Sequence, residues 1–267
     1  MHTSIVIELN AGSVGAGVVL GSKRLPSALL YAHERSFLHS GDRWRTLRQV
    51  LRHLLHDGLT PLSKEGKVPK HIDHVLVGLS STWSLKDLSL LEEEIGSAIG
   101  SKRGICVKDL LFVVSESINS LGLESMLVST SGEYTEILPP SEFGQGRPEI
   151  INFGPEILSK HLSQELHLDI RLAESLLALY SQNVLTYRKF QEVKRIVEPL
   201  EIEWREKIAE RYKATKVDRI HIIGHSAYLD LTKKICQEIF PQADVVFVPD
   251  EVLVCLASFS HSLLSTK

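Results

Sequence analysis

What most constrains this chain is an order of elements that occurs twice. Residues 5–9 form a short apolar run, 10–13 (Asn-Ala-Gly-Ser) read as a polar turn, and 14–20 alternate β-branched residues with Ala and Gly, which together spell a hairpin. A third strand follows at 29–32, then a helix over 43–56 in which Trp44, Leu47, Val50, Leu51, Leu54 and Leu55 share one face. A strand at 74–79, a helix over 85–99, a strand at 110–114 and a short helix near 116–121 complete this half as βββαβαβα. The second half opens with strand 126–130, a Ser-Gly-Glu turn at 131–133 and strands at 134–138 and 149–152. Helices over 155–166, 170–180 and 187–212 come next, then strand 219–223, helix 227–240, strand 245–248 and a closing helix over 251–264. Two copies of one order, with little residue identity between them, predict a duplicated α/β unit whose five-stranded sheet begins with three antiparallel strands. The expected division is 1–124 and 125–267, with a helical insertion in the second domain at about 167–216.

Composition agrees with two modest cores. The chain has 267 residues, 43% hydrophobic and 24% charged, and single cores stop growing at roughly 250 residues. A net charge of -3 from 30 basic and 33 acidic residues creates no field that would draw nucleic acid or an anionic membrane surface. Cys106, Cys236 and Cys255 are isolated and odd in number, which suggests neither a disulfide framework nor a zinc knuckle and fits a reducing cytoplasm. The amino terminus lacks a basic stretch before an apolar one, and no window approaches the roughly 18 apolar residues of a membrane span, so neither secretion nor insertion is expected.

A duplicated unit with a polar turn in the first hairpin of each copy resembles the actin, hexokinase and heat-shock chaperone superfamily of ATPases. Within it the chain looks like the bacterial FtsA-like cell-division proteins and PilM-like type IV pilus assembly proteins. The residues that carry the likeness are Ile-Glu-Leu-Asn-Ala-Gly-Ser (7–13) as first phosphate motif and Leu-Val-Ser-Thr-Ser-Gly-Glu-Tyr-Thr-Glu-Ile (127–137) as second. Asn152-Phe-Gly154 resembles the glycine before the following helix, Ala173-Glu174 the Ala-Glu pair of the next, and Ile-Ile-Gly-His-Ser-Ala (222–227) the adenosine motif. The resemblance implies an actin-like fold of two ribonuclease-H-like units with a cleft between them. It further implies ATP or ADP with magnesium, and nucleotide contacts from Asn10, Ala11, Gly12, Ser13, Ser129, Ser131, Gly132, Glu133, Thr135, Gly154, Glu174, Gly224, His225, Ser226 and Ala227. Opposed turns suit that task because small residues free backbone N–H groups for phosphates.

The motifs depart from the family pattern where the chemistry is done. An aspartate in each family hairpin helps place magnesium or the attacking water; here the first is Glu8 and the second Ser129. Asn10, Ser131 and His225 stand where glycine is usual, and Leu177 where a lysine often follows the Ala-Glu pair. The resemblance therefore implies at most a weak ATPase, with Glu8 as the surviving catalytic and metal-associated acid. Glu133, Thr135 and Glu136 are candidate replacements, although Glu133 and Glu136 also read as solvent-facing hairpin residues. The implied role is a cytoplasmic, nucleotide-responsive scaffold for membrane-linked division or pilus machinery, recruited to the membrane by a partner, with self-association left open. A pseudo-ATPase adaptor that binds no nucleotide is the competing expectation. The inserted domains of FtsA- and PilM-like proteins have no room between residues 79 and 110, and the chain stops without an amphipathic membrane-targeting tail.

Other motifs fit less well. The glycines of 12–21 lack the helix that a dinucleotide fingerprint must open, since Val18, Val19 and Leu20 continue as strand. Gly224-His-Ser-Ala-Tyr228 imitates a hydrolase nucleophile elbow, with Ser226, Asp250 and His261 in the right order, but Tyr228 replaces the glycine that such a turn needs. His53 with His56 and His71 with His74 lack a metalloprotease frame. Trp44, Trp83 and Trp204, with no basic stripe, read as core or interface anchors.

Overall fold

The computed structural model describes residues 2–10, 13–22, 25–36, 42–67, 71–99, 104–118, 124–140, 148–224, 226–248 and 256. The chain divides into two compact units, Met1–Leu121 with Asp250–Lys267, and Gly122–Pro249.

In the first unit β1 (His2–Leu9) is the central strand and is buried on both faces, which explains its near-continuous apolar run. It pairs antiparallel with β2 (Ser13–Ser22), and β2 pairs antiparallel with β3 (Leu25–Ser36). On its other side β1 runs parallel to β4 (His74–Leu79), which runs parallel to β5 (Ile105–Asp109), giving the order β3-β2-β1-β4-β5. Ile5, Ile7 and Leu9 face α1 (Arg43–His53) and α3 (Leu85–Ile99) in one hydrophobic cluster with Leu47, Leu51, Leu91 and Ile95. Asp42 opens α1 by accepting the N–H groups of Trp44 and Arg45, both at 3.0 Å.

Two expectations need correction here. The helix expected to end at residue 56 continues as a π-helical stretch, Leu54–Leu59, into α2 (Thr60–Lys64). Gly58 within it serves a close approach: a Cβ there would stand 2.5 Å from the Tyr31 ring. The strand expected at 110–114 is instead the first part of α4 (Leu110–Ile118), and the strand is the preceding Ile105–Asp109. A five-residue apolar run does not separate strand from buried helix, whereas Asp109, accepting the N–H of Phe112 at 3.0 Å, marks the helix start.

The second unit repeats the sheet. β6 (Ser125–Ser131) is central and fully buried, flanked by antiparallel β7 (Tyr134–Leu138), then β8 (Glu149–Ile151), and by parallel β9 (Arg219–Gly224), then β10 (Asp244–Phe247). Helices α5 (Pro155–Leu166), α6 (Ile170–Ser181), α7 (Tyr187–Tyr212) and α8 (Ser226–Ile239) surround one face around Trp204, which is fully buried. Its indole donates to the Thr135 hydroxyl at 2.9 Å. Pro199 lies inside α7, on its solvent side. Burial alone pushes the Cys236 thiol up to about 12, so this cysteine is an inert core residue.

The closing helix expected over 251–264 lies outside the described residues except for Leu256. Chain order assigns that segment to the second domain, but it groups with the first unit. Leu256 packs close to Gly78 of β4, where a Cβ would stand 2.7 Å from atoms of both Leu110 and Leu256.

His221 of β9 is buried and its Nε2 has no partner among the described residues. Burial, then the Arg219 cation, lowers its pKa, with Asp244 opposing. The folded state therefore holds the ring neutral where the unfolded chain, titrating near ~6.5, binds a proton. Stability of the second unit should fall as pH drops through that value, until the folded pKa is passed. Urea unfolding at about pH 7.5 and pH 5.5 checks this, and the loss should shrink in His221→Gln.

Candidate functional site

The first turn is built around Asn10. Its N–H donates to the Ser13 carbonyl at 3.0 Å, closing the loop after the last β1–β2 pair, Leu9 with Val14. Its side-chain amide donates to a Glu8 carboxylate oxygen, and more distantly to Ser13 Oγ at 3.4 Å. Glu8 is flanked in the sheet by Gly15 on β2 and Gly78 on β4. Asn10 is 5% exposed, and its Oδ1 is buried with no hydrogen-bond partner among the described residues. A buried orphan acceptor costs about 1–3 kcal/mol, which gives this turn a reason to welcome a donor from a ligand or water. Ala11 and Gly12, expected to cradle phosphate, lie outside the described residues. β2 continues as strand through Ser13–Ser22, which removes the dinucleotide fingerprint.

The second turn is tighter. Ser131 pairs with Tyr134, and only Gly132 and Glu133 intervene, with Gly132 at φ 65° as a two-residue hairpin with glycine first requires. Gly154 packs directly beneath it: a Cβ there would meet Tyr134 N at 2.5 Å and Gly132 O at 2.7 Å. Gly154 also opens α5, whose Glu156 N–H donates to the Gly132 carbonyl at 3.1 Å. Glu133 is exposed, as expected, but Lys160 pairs with it at 2.7 Å and with Glu156 at 2.8 Å. Burial would lower the Lys160 ammonium, yet the two carboxylates outweigh it and hold its pKa above the ordinary value. Lys160 is thus a cation beside the second turn that the motifs do not reveal.

Strand alternation sorts the remaining acids and hydroxyls of this unit. Thr135 faces the core, its hydroxyl donating to the Phe153 carbonyl at 2.7 Å while accepting from Trp204, so it is taken up in packing rather than offered to a phosphate. Glu136 is only 2% exposed, which corrects its reading as a solvent-facing residue. It sits opposite Ser129, itself 2% exposed, on the same face of the sheet. The second unit thus keeps a buried carboxylate one strand away from the position where the family pattern has one. Ser131 is also buried.

In the segment expected to be the adenosine motif, Gly224 ends β9 against Thr130: a Cβ there would stand 2.6 Å from the Thr130 carbonyl. His225 lies outside the described residues, Ser226 begins α8, and Ala227 packs against the core. Asp250 and His261, the other members of the hydrolase pattern, also lie outside the described residues. Glu174 is buried and accepts the Tyr228 hydroxyl at 2.7 Å, and Ser159 lies 3.0 Å from the same oxygen. Burial raises the Tyr228 phenol far above its ordinary range, so it remains a neutral donor. Leu177 is fully buried in the core, where a lysine would be costly.

Sequence reasoning missed the loop after β4. Ser80 N–H donates to the Leu9 carbonyl at 2.8 Å, and the Trp83 indole to the Asn10 carbonyl at 3.0 Å. Ser81 donates to Asp109 at 2.8 Å, and the Ser80 and Thr82 hydroxyls lie 2.7 Å apart. A polar run flanking a tryptophan just after a parallel strand is the available signal, since ligands gather outside the carboxyl ends of such strands. The donor set of the first turn, a carboxylate, an amide oxygen and a hydroxyl, suits a hard cation that keeps most of its water. Among the described residues no group of three or more His, Cys, Asp or Glu is placed to hold a metal by itself.

No protein-family model matches the sequence, and neither does any curated protein. Solved structures do match. MreB 5 of Spiroplasma citri bound to AMPPNP aligns over 100% of this chain and 97% of its own at 11% identity, with a TM-score of 0.65. The MamK double helical filament aligns over 98% and 99% at 14% identity and 0.64. The ethanolamine utilization protein EutJ from Carboxydothermus hydrogenoformans aligns over 97% and 89% at 14% identity and 0.62. At such identities the likeness is one of fold, and the chain has the duplicated actin-like fold.

The glycine contacts generate a prediction. Gly154→Ala and Gly224→Ala each force a Cβ into backbone rather than into a side chain that can swing away, so each should cost about 1–3 kcal/mol in denaturant unfolding. Gly66→Ala is the internal comparison: nothing lies within 4 Å of a Cβ there, and its loss should come from the φ of 71° alone.

Proposed function

We propose that this chain is a nucleotide-responsive scaffold of actin-like fold that takes an adenine nucleotide at its hairpin turns, and that hydrolysis is slow. The observation that carries the reading is Asn10, buried beside Glu8 at the end of a central strand with one acceptor unused. The fold supports it, because MreB 5, one of the structures it resembles, is bound to AMPPNP. In the first unit Asn10 Oδ1 and Glu8, both acceptors, would meet the water of a bound magnesium or a sugar hydroxyl rather than phosphate; Ser131, Gly132 and Lys160 are the candidate phosphate contacts of the second. Magnesium, when it arrives with a nucleotide, neutralises phosphate charge. Glu8 would orient its water, and Glu136 is the nearest second carboxylate in kind, displaced by one strand.

The replaced groups argue for slow turnover. Removing one positioned polar group from such a site commonly costs about 10² to 10³ in rate, and Ser129 and Leu177 both stand where the family has a charge. A protein that binds and hardly turns over suits a scaffold whose partner surface changes with occupancy. By resemblance to FtsA- and PilM-like proteins, that partner is membrane-linked division or pilus machinery. The second reading, an adaptor that binds no nucleotide, is favoured by the hydrogen bond that already joins Asn10 to Glu8.

Calorimetric titration with ATP and ADP, with and without magnesium, separates the two readings: heat of binding is expected, and its absence in all four titrations leaves the adaptor. In a phosphate-release assay the wild type should be slow, Glu8→Ala should lower the rate by a further ~10² and Ser129→Asp should raise it. Brisk hydrolysis unchanged in Glu8→Ala would overturn the assignment of Glu8.

A further inference from the structure

The first unit contains an aromatic and ionic cluster that nucleotide binding as described does not use. Trp83, 8% exposed, follows β4 and gives its indole N–H to the Asn10 carbonyl. The ring is held from the other side as well. The Arg43 guanidinium lies 4.6 Å from its centroid, and Trp44 meets it edge-on at 5.5 Å and 84°. Arg43 in turn pairs with Asp87 at 2.5 Å, and Asp87 accepts the N–H and hydroxyl of Ser84 at 2.9 and 2.7 Å. One indole therefore joins the first turn to the starts of both α1 and α3.

The consequence falls on Asn10. Its N–H is committed to Ser13, its carbonyl to Trp83 and its side-chain amide nitrogen to Glu8. Fixed at three points, the residue cannot turn to find a donor for Oδ1, so that acceptor is kept available.

We infer that Trp83 is the positioning residue of the first turn: its indole holds Asn10 with Oδ1 ready for a donor carried in with the ligand, and occupancy of the turn is felt at Trp83. The ligand's identity rests on the nucleotide reading above; the clamp does not. Occupancy at Asn10 should then alter an indole packed on Arg43, and so the face made by the starts of α1 and α3.

The test uses the full chain and Trp83→Phe, which keeps a ring against Arg43 but has no N–H to give. Without nucleotide, hydrogen exchange at the Asn10 amide should quicken about tenfold in the variant while Val50 in α1 is unchanged. With magnesium–ADP, the variant should bind about tenfold more weakly at a temperature where both proteins are folded. In Trp44→Phe/Trp204→Phe, where Trp83 is the sole tryptophan, its emission should shift on nucleotide addition. Unchanged Asn10 exchange overturns the clamp, and so does unchanged affinity or a silent emission while calorimetry records binding. Should the wild type bind no nucleotide, the nucleotide reading fails while exchange at Asn10 still decides the clamp. Should Trp83→Phe not fold, the emission of the two-site variant decides.

Discussion

Burial of a central strand on both faces is the constraint from which the rest follows. β1 and β6 each lie between an antiparallel and a parallel neighbour and are covered above and below. Such a strand tolerates polar side chains only where they find partners or where the strand ends. In β1 the polar groups fall toward the two ends, Thr3 and Ser4 at the start and Glu8 with Asn10 at the finish; in β6 Ser125 stands at the start and Ser129, Thr130 and Ser131 at the finish. The same packing that builds the sheet therefore decides where chemistry is allowed, and it does so twice at equivalent places in the fold.

The two ends are not chemically equal. The first keeps a carboxylate and an unused amide oxygen; the second offers hydroxyls, a glycine that supplies a positive φ, and a lysine reaching in from α5.

Much of this was legible in the sequence, and the failures are instructive. The order of elements and the bounds of strand 74–79, helix 85–99 and helix 187–212 follow from periodicity and flanking residues, since long amphipathic patterns leave little choice. Residues 110–114 misled because five apolar residues satisfy a buried strand and a buried helix equally well, and what decides between them is a local contact, the Asp109 cap on the N–H of Phe112. The helix runs on past residue 56 through residues 54–64, where Gly58 makes room for the ring of Tyr31. At the site, residues 8–13 and 131–154 could be found by their matched places in two copies. Lys160 could not, because it reaches its turn from an element farther along the chain and no local pattern encodes that; Trp83 was signalled only by the polar run around it after a parallel strand. Thr135 and Glu136 show the opposite lesson: adjacent residues of one strand went to opposite faces, so one hydroxyl is consumed by the core and one acid is buried beside Ser129.

The glycine at position 78 has a bearing on how the molecule is made. It admits Leu256 to the first unit, whereas Gly122–Pro249 is a continuous stretch. During synthesis the second unit has all of its residues before the first does, even though it begins later on the chain. For that interval the sheet of β1 to β5 has emerged without the side chain that fills the space above β4, so the amino-terminal unit waits, with an apolar surface open, for the carboxyl-terminal segment to arrive.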